Sequence, residues 1–303
     1  MKHRQTHSNR KWVWMSLILL VIVLIGGYWS YQHFYTHESV PARHVQLTAV
    51  GDSLTYGMGD PTHDGGFTSL IRKKVNRQAN HVVMSTTNYG ISGQTTSQIN
   101  HRVMTSKSLR RSLKHADVIT ITTGGNDVLH FLKQHLTTTS QRSLTTDLTG
   151  YVAAYKTRVA SLLTNIRRIN ARAPIFVFGI YNPVYVYFPQ VAFISHAISL
   201  NNQTTKQVVA ANHRAYFISI DHQLSDGQYT TTKSRAKLKR QADPNSGGSM
   251  TAGDLAKLLN GTGTESNRYL SSEDHFHPNK KGYQIMTNLL YQQMVRHIDW
   301  LKE

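Results

Sequence analysis

Val45-Gln46-Leu47-Thr48-Ala49-Val50-Gly51-Asp52-Ser53-Leu54 decides how this chain folds. Val45 to Val50 is an apolar run of strand length, and Gly51-Asp52-Ser53 is a small-residue turn. A strand that ends in such a turn and opens into a helix presents the turn serine at the edge of a sheet. Backbone N–H groups point outward there, so the Ser53 hydroxyl is placed to act as a nucleophile.

Three further segments follow in order. Asn88-Tyr89-Gly90-Ile91-Ser92-Gly93 comes after the apolar His81-Val82-Val83-Met84. Gly124-Gly125-Asn126-Asp127 comes after Asp117-Val118-Ile119-Thr120-Ile121-Thr122. Asp274-His275-Phe276-His277-Pro278-Asn279 lies near the C-terminus. The first three segments each succeed a strand-like run, which predicts all of them at one carboxyl edge of a parallel sheet. Ester hydrolysis requires a nucleophile, a base, an orienter for the base and donors for the oxyanion. The four segments supply each of these once.

On these motifs, residues 45–300 resemble the GDSL, or SGNH, hydrolase family, whose four letters match Ser53, Gly90, Asn126 and His277. Gly51 to Asp60, Gly65-Gly66-Phe67 and Tyr181-Asn182-Pro183 are similar to a Gram-positive subgroup, often membrane-tethered or secreted. The resemblance implies a flavodoxin-like three-layer α/β/α fold with a five-stranded parallel sheet. It implies a serine esterase, a GDSL-type lipase or acylhydrolase, and a lysophospholipid or short-chain acyl ester fits the family's breadth and the membrane position. Ser53 would be the nucleophile, His277 the base, and Asp274 the group that orients the imidazole and stabilises its cation. The Ser53 N–H, the Gly90 N–H and the Asn126 side-chain amide would form the oxyanion hole, with no Cβ on Gly90 to block the substrate. No metal or organic cofactor is required.

Other residues invite other roles. Asp52 reads as a shaper of its turn and Asp127 as a cap for the helix after it. His275 reads as a wall residue beside His277. With 17 histidines, His275, His277 and Asp274 suggest a zinc site, but no third His or Cys stands at a ligand spacing and the chain has no cysteine. That absence also excludes disulfides and a lipid-modified cysteine anchor.

Residues 12–31 carry no charge and as a helix would cover about 30 Å, the thickness of a bilayer's hydrocarbon. Trp12 and Trp14 sit at one end, Tyr28, Trp29 and Tyr31 at the other, as aromatic belts do. Lys2, Arg4, Arg10 and Lys11 precede the segment, and Arg43 is the first Lys or Arg after it. The expected organisation is a cytoplasmic basic tail at 1–11, an uncleaved signal anchor at 12–31, a tether at 32–44 and an extracellular hydrolase domain at 45–303. A cleaved signal peptide with a late site at Val40-Pro41-Ala42, and hence secretion, is the alternative.

Within the domain, strands are expected at 45–50, 81–85, 117–122, 174–180 and 215–220. Helices are expected around Phe67–Val75, over Tyr151–Asn170 and over Lys280–Trp300. Residues 222–270 form a polar insertion with a short helix at Thr251–Leu259, read as a lid or a surface loop. Tyr185-Val186-Tyr187-Phe188-Pro189 either lines a substrate pocket or packs under a loop.

The chain has 34 Lys and Arg against 16 Asp and Glu, a formal charge of +18. Without the four basic residues before the apolar segment, 30 against 16 remain, or +14. Such an excess suits an anionic membrane or wall surface; no nucleic-acid module appears. Besides an acyl-lipid or short-chain ester, an O-acetylated wall or capsular polysaccharide fits as substrate. A non-catalytic basic wall-binding module is the reading from another class, and such a module has no need of Ser53, Gly90, Asn126, Asp274 and His277 together.

Overall fold

A computed structural model describes residues 8–35, 41–79, 81–135, 141–187, 189, 192–241 and 266–301. The chain divides into two compact units, Met1–Ala42 and Arg43–Glu303.

In the first unit, helix α1 (Ser8–Tyr35) extends past the expected segment at both ends. Its stretch Trp12–Tyr31 is long and apolar enough to cross a membrane, and its large apolar side chains are exposed.

The second unit is a three-layer α/β/α domain. Its strands are β1 (Arg43–Gly51), β2 (Val82–Gly90), β3 (Val118–Thr122), β4 (Ile175–Phe178) and β5 (Ala215–Ile218). They form one sheet in the order β2-β1-β3-β4-β5, every pair parallel. This is the expected five-stranded flavodoxin-like sheet. The strand order reverses between β1 and β3, where open α/β sheets place their ligand crevice.

Side-chain alternation assigns the two faces. Val45, Leu47, Ala49, Phe176 and Phe178 pack with α3 (Phe67–Gln78) and α11 (Lys280–Arg296). Val50, Ile119, Ile121, Ile175 and Val177 pack on the other side. There the covering helices are α4 (Thr96–Thr105), α5 (Lys107–Lys114), α7 (Gln141–Ile169) and α8 (Ala192–Ala210). Both faces being covered is why the central strands read as continuous apolar runs rather than alternating ones.

Short helices complete the domain: α2 (Ser53–Tyr56), α6 (Gly125–His135), α9 (Asp221–Ser225) and α10 (Thr232–Gln241), then a 3₁₀ turn at Ile298–Leu301. The polar insertion thus begins with α9 and α10, while its expected helix at 251–259 lies outside the described residues. In the aromatic segment Val186 is buried, as is Val184 just before it. Tyr185 borders a small cleft with Asn182 and Asp221, and the Tyr187 hydroxyl accepts the Ser266 N–H at 3.0 Å. Phe188 lies outside the described residues.

At the amino edge of the sheet one buried side chain ties two connections together. Asn170 Nδ2 donates to the carbonyls of Leu113 and Ala116 at 2.8 and 2.9 Å. Its Oδ1 accepts the N–H groups of Arg172 and Ala173 at 3.0 and 2.9 Å. Asn170→Ala leaves these groups without their partner and is expected to lower stability by about 3 kcal/mol, since each orphaned buried group costs about 1–3 kcal/mol. Equilibrium denaturation in mild detergent measures it; a loss under ~0.5 kcal/mol would mean the loops hold without Asn170.

Candidate active site

The site is built where β1, β2 and β3 end. Gly51 of β1 lies opposite Gly90 of β2 and Thr122 of β3. Beyond Gly51 the chain turns directly into α2, with Asp52 as its N-cap. Asp52 Oδ1 accepts the Leu54 N–H at 3.0 Å and the Thr122 hydroxyl at 2.7 Å. Burial pushes the Asp52 carboxyl up from its ordinary 3.8 against the pull of these bonds. Asp52 therefore holds the turn, and Ser53, 7% exposed, stands at the first position of the helix.

Gly90 has a different reason to be glycine than substrate access. A Cβ there would lie 2.0 Å from the Tyr56 nitrogen and 2.5 Å from the Thr55 carbonyl carbon. The space is filled by the backbone of α2, so Gly90 is the floor on which the serine turn rests. Its N–H donates to Asn88 Oδ1 at 2.8 Å, and Asn88 Nδ2 in turn donates to the Thr55 carbonyl at 2.7 Å.

Asn126 is in the first turn of α6, after β3. One hydrogen of its amide goes to the Gln94 carbonyl at 2.9 Å, leaving the other unspent. Asp127 is not the cap of that helix. Its Oδ2 accepts the N–H and hydroxyl of Thr96, both at 2.8 Å, at the start of α4, and its Oδ1 accepts Arg158 Nε at 3.0 Å.

The C-terminal loop completes the group. His277 Nε2 lies 2.8 Å from Ser53 Oγ, and His277 Nδ1 lies 2.6 Å from Asp274 Oδ2. Asp274 Oδ1 accepts the N–H groups of Phe276 and His277 at 3.0 and 2.9 Å, so the Asp-x-x-His spacing closes as one turn. His277, not His275, reaches the serine; His275 is buried one turn back with a left-handed φ of +53°. Both ring nitrogens of His277 are thereby engaged. Among the described residues, no group of three or more His, Cys, Asp or Glu is arranged to hold a metal ion.

The loop is held from several sides. The Tyr181 hydroxyl donates to the Phe276 carbonyl at 2.5 Å. Gly59, at φ +80°, lies close under the loop, where a Cβ would sit 2.8 Å from the Pro278 carbonyl oxygen and 3.0 Å from His277 Cβ. Arg102 of α4 braces the strand ends: its Nη1 donates to the Tyr89 carbonyl at 3.0 Å, Nη2 to the Gly51 carbonyl at 3.1 Å and Nε to Gln94 Oε1 at 2.6 Å. Sequence reading missed Arg102 and the contact that Tyr181, quoted there only as part of a motif, makes with the histidine loop, because their acceptors are backbone carbonyls 51 and 95 residues away.

Burial works to raise the Asp274 carboxyl, but its bonds to the His277 ring, the His277 N–H and the Phe276 N–H outweigh burial and hold it at about 2. A carboxyl depressed in the folded state contributes stability above its unfolded value of 3.8 and loses it as pH falls toward 2. Asp274→Asn is therefore expected to be less stable than the parent above about pH 4, with the difference closing toward about pH 2. Denaturation midpoints across that range test this; a constant difference would mean the charge of Asp274 is not what stabilises the loop.

A family model described as GDSL-like lipase/acylhydrolase matches residues 49–285. The Bacillus subtilis protein YpmR is 26% identical over 258 residues, which cover 84% of each chain. The spore germination lipase LipC of Bacillus licheniformis is 30% identical over 171 residues, 55% of this chain and 76% of its own. Among solved structures, the lipase Lip_vut3 from a goat rumen metagenome superposes with a TM-score of 0.60 at 24% identity, covering 82% of this chain and 96% of that one. A variant of the acetyl xylan esterase Axe2 from Geobacillus stearothermophilus shares the fold at a TM-score of 0.52 and 14% identity, covering 84% and 96%. With its family match running from the end of β1 into the last helix, the chain belongs to the GDSL-like lipase/acylhydrolase family and is a carboxylic ester hydrolase.

Proposed function

We propose that the protein is a membrane-anchored extracellular serine esterase that works through an acyl-enzyme on Ser53. The observation that carries this reading is the unbroken relay from Ser53 Oγ through His277 to Asp274, at 2.8 and 2.6 Å. Ser53 Oγ attacks the ester carbonyl carbon while His277 Nε2 takes its proton. Asp274 stabilises the imidazolium. The tetrahedral intermediate collapses, the C–O bond to the alcohol breaks, and His277 returns the proton to the departing oxygen. Water, deprotonated by the same nitrogen, then releases the acid from Ser53.

Two donors support an oxyanion hole in this reading. The Ser53 N–H is the first amide of α2, which no intrahelical carbonyl can take. The Asn126 amide has its second hydrogen. The Gly90 N–H joins them only when a substrate oxygen displaces Asn88 Oδ1 from it.

The location rests on α1. Its uncharged stretch has aromatic residues at both ends and basic residues on its N-terminal side, which orients the tail inward and the enzyme outward.

Hydrolysis of p-nitrophenyl acetate, butyrate and octanoate by the full chain in detergent tests the chemistry. Turnover is expected to vanish in Ser53→Ala and to fall about a hundredfold or more in Asn126→Ala, the cost of one oxyanion donor. Near-normal turnover in Ser53→Ala would remove the acyl-enzyme from consideration. Preference for acetate points to acetylated polymer as substrate, preference for octanoate to lipid acyl chains. The anchor predicts a full-length mass retained in the membrane fraction; a shortened form in the medium would overturn it.

A further inference from the structure

The edge of the sheet opposite Ser53 carries a concentration of cations that the ester chemistry does not use. In this fold the covering helices end where the strands begin, and their last turns bring Arg77, Lys114, Arg168 and Arg296 to that amino edge. Each is favoured there by its own helix dipole, which explains single residues but not a shared concavity.

A cleft of about 170 Å³ opens at this edge, and Arg43, Lys114, Arg172 and Arg214 line it together with Asp117. The Asp117 carboxylate is already engaged, its Oδ2 accepting the Gln46 N–H at 2.7 Å. The side chains of Lys114 and Arg172 are exposed and make no hydrogen bond or ion pair with another described residue. Behind the cleft, Arg167 donates to the carbonyls of Ala173 and His213. Burial first, and then the Arg214 charge, pull its guanidinium down to about 10. Lys114 and Arg172 thus stand without a partner among the described residues, beside Arg214 and beside Arg43, which donates to the Leu301 carbonyl at 2.6 Å, around a cleft with room for a headgroup phosphate.

The chain's own path selects the occupant. Arg43 is both a wall of the cleft and the first residue of β1, eight positions after α1 ends at Tyr35. A fully extended chain covers at most about 28 Å over that interval. If α1 lies in a bilayer, this edge cannot be far from its headgroups. We propose that the amino edge of the sheet is a docking surface for anionic phospholipid, with a headgroup phosphate seated among Arg43, Lys114, Arg172 and Arg214.

The inference rests on the anchor reading above and gives it a consequence. Ser53 lies just past the far end of the nine-residue strand β1, about 30 Å away. With the amino edge on the membrane, the site opens away from it, toward esters on soluble molecules or wall polymers.

The chain has no cysteine, so single labelling sites are clean. Full-length protein carrying a fluorophore at Ala171→Cys, beside the cleft, or at Ser97→Cys, on exposed surface at the opposite edge, is placed in phosphatidylcholine vesicles containing a headgroup nitroxide lipid. Adding phosphatidylglycerol is expected to increase quenching at residue 171 and leave residue 97 unchanged. The increase should be lost in Lys114→Glu/Arg172→Glu and at high salt. Quenching at 171 that ignores phosphatidylglycerol, or equal quenching at 97, overturns the proposal. A chain that washes off neutral vesicles in alkaline carbonate defeats the anchor reading alone. Docking is then read from flotation with phosphatidylglycerol vesicles and its loss in the double variant; no flotation overturns it.

Discussion

Everything at the catalytic edge depends on how closely the backbone of α2 approaches the sheet. Gly51 and Gly90 lie opposite each other in the β1–β2 register, and neither has room for a side chain. A Cβ on Gly51 would sit 2.3 Å from Thr122 Oγ1, and one on Gly90 would sit 2.0 Å from the Tyr56 nitrogen. Because both positions are bare, the serine turn sits directly on the ends of three strands. Asp52 then locks it by reaching Leu54 N–H and Thr122 hydroxyl with one oxygen. The position of Ser53 is thus set by backbone packing and a buried carboxylate, not by the histidine it faces. On the proposed roles, a serine fixed this way gives His277 a target that does not move, as efficient proton transfer requires.

The sheet was legible because its central strands are covered on both faces. Expected strands at 117–122, 174–180 and 215–220 match β3, β4 and β5 within two residues. β2 was foreseen only at 81–85, yet it continues through Gly90. It is an edge strand, and Ser85-Thr86-Thr87-Asn88 lies on half-exposed surface, where the apolar signal fades. Helices α4 and α8 carried little signal for a related reason. In α8 the buried face includes Asn201, whose Oδ1 accepts the Tyr151 hydroxyl, Thr204, which donates to the Leu200 carbonyl, and Thr205, which bonds the Tyr155 hydroxyl and the Asn201 carbonyl. The capping box of Thr95 and Gln98 was the available sign for α4.

The residues of the site were legible as motifs, and their surroundings were not. Ser53, Asp274 and His277 are short-range patterns, since a turn after a strand and an Asp-x-x-His loop are both local. What surrounds them is long-range. Tyr181 reaches the histidine loop from the end of β4, and Arg102 reaches two strand ends from α4. Asn88 was read as a flank of the Gly90 motif, yet it is the residue that binds the Gly90 N–H and ties β2 to α2. No spacing rule announces contacts whose acceptors are main-chain carbonyls.

The two edges of one parallel sheet have opposite electrostatic characters for the same reason. Helices that cross back over such a sheet begin at the carboxyl edge and end at the amino edge, so their positive ends gather around Ser53 and their negative ends around Arg43. An oxyanion is favoured at the first edge, and cationic side chains are favoured at the second. The chain's excess of Lys and Arg is therefore not an even coat. The fold draws part of it to the edge where the polypeptide enters the domain, where Lys114 and Arg172 have no described counterion. Chain entry at that edge and Ser53 at the other follow from β1 being at once the first strand of the domain and the strand that leads into the serine turn. The distance between chain entry and Ser53 is then the length of one strand, set by the topology.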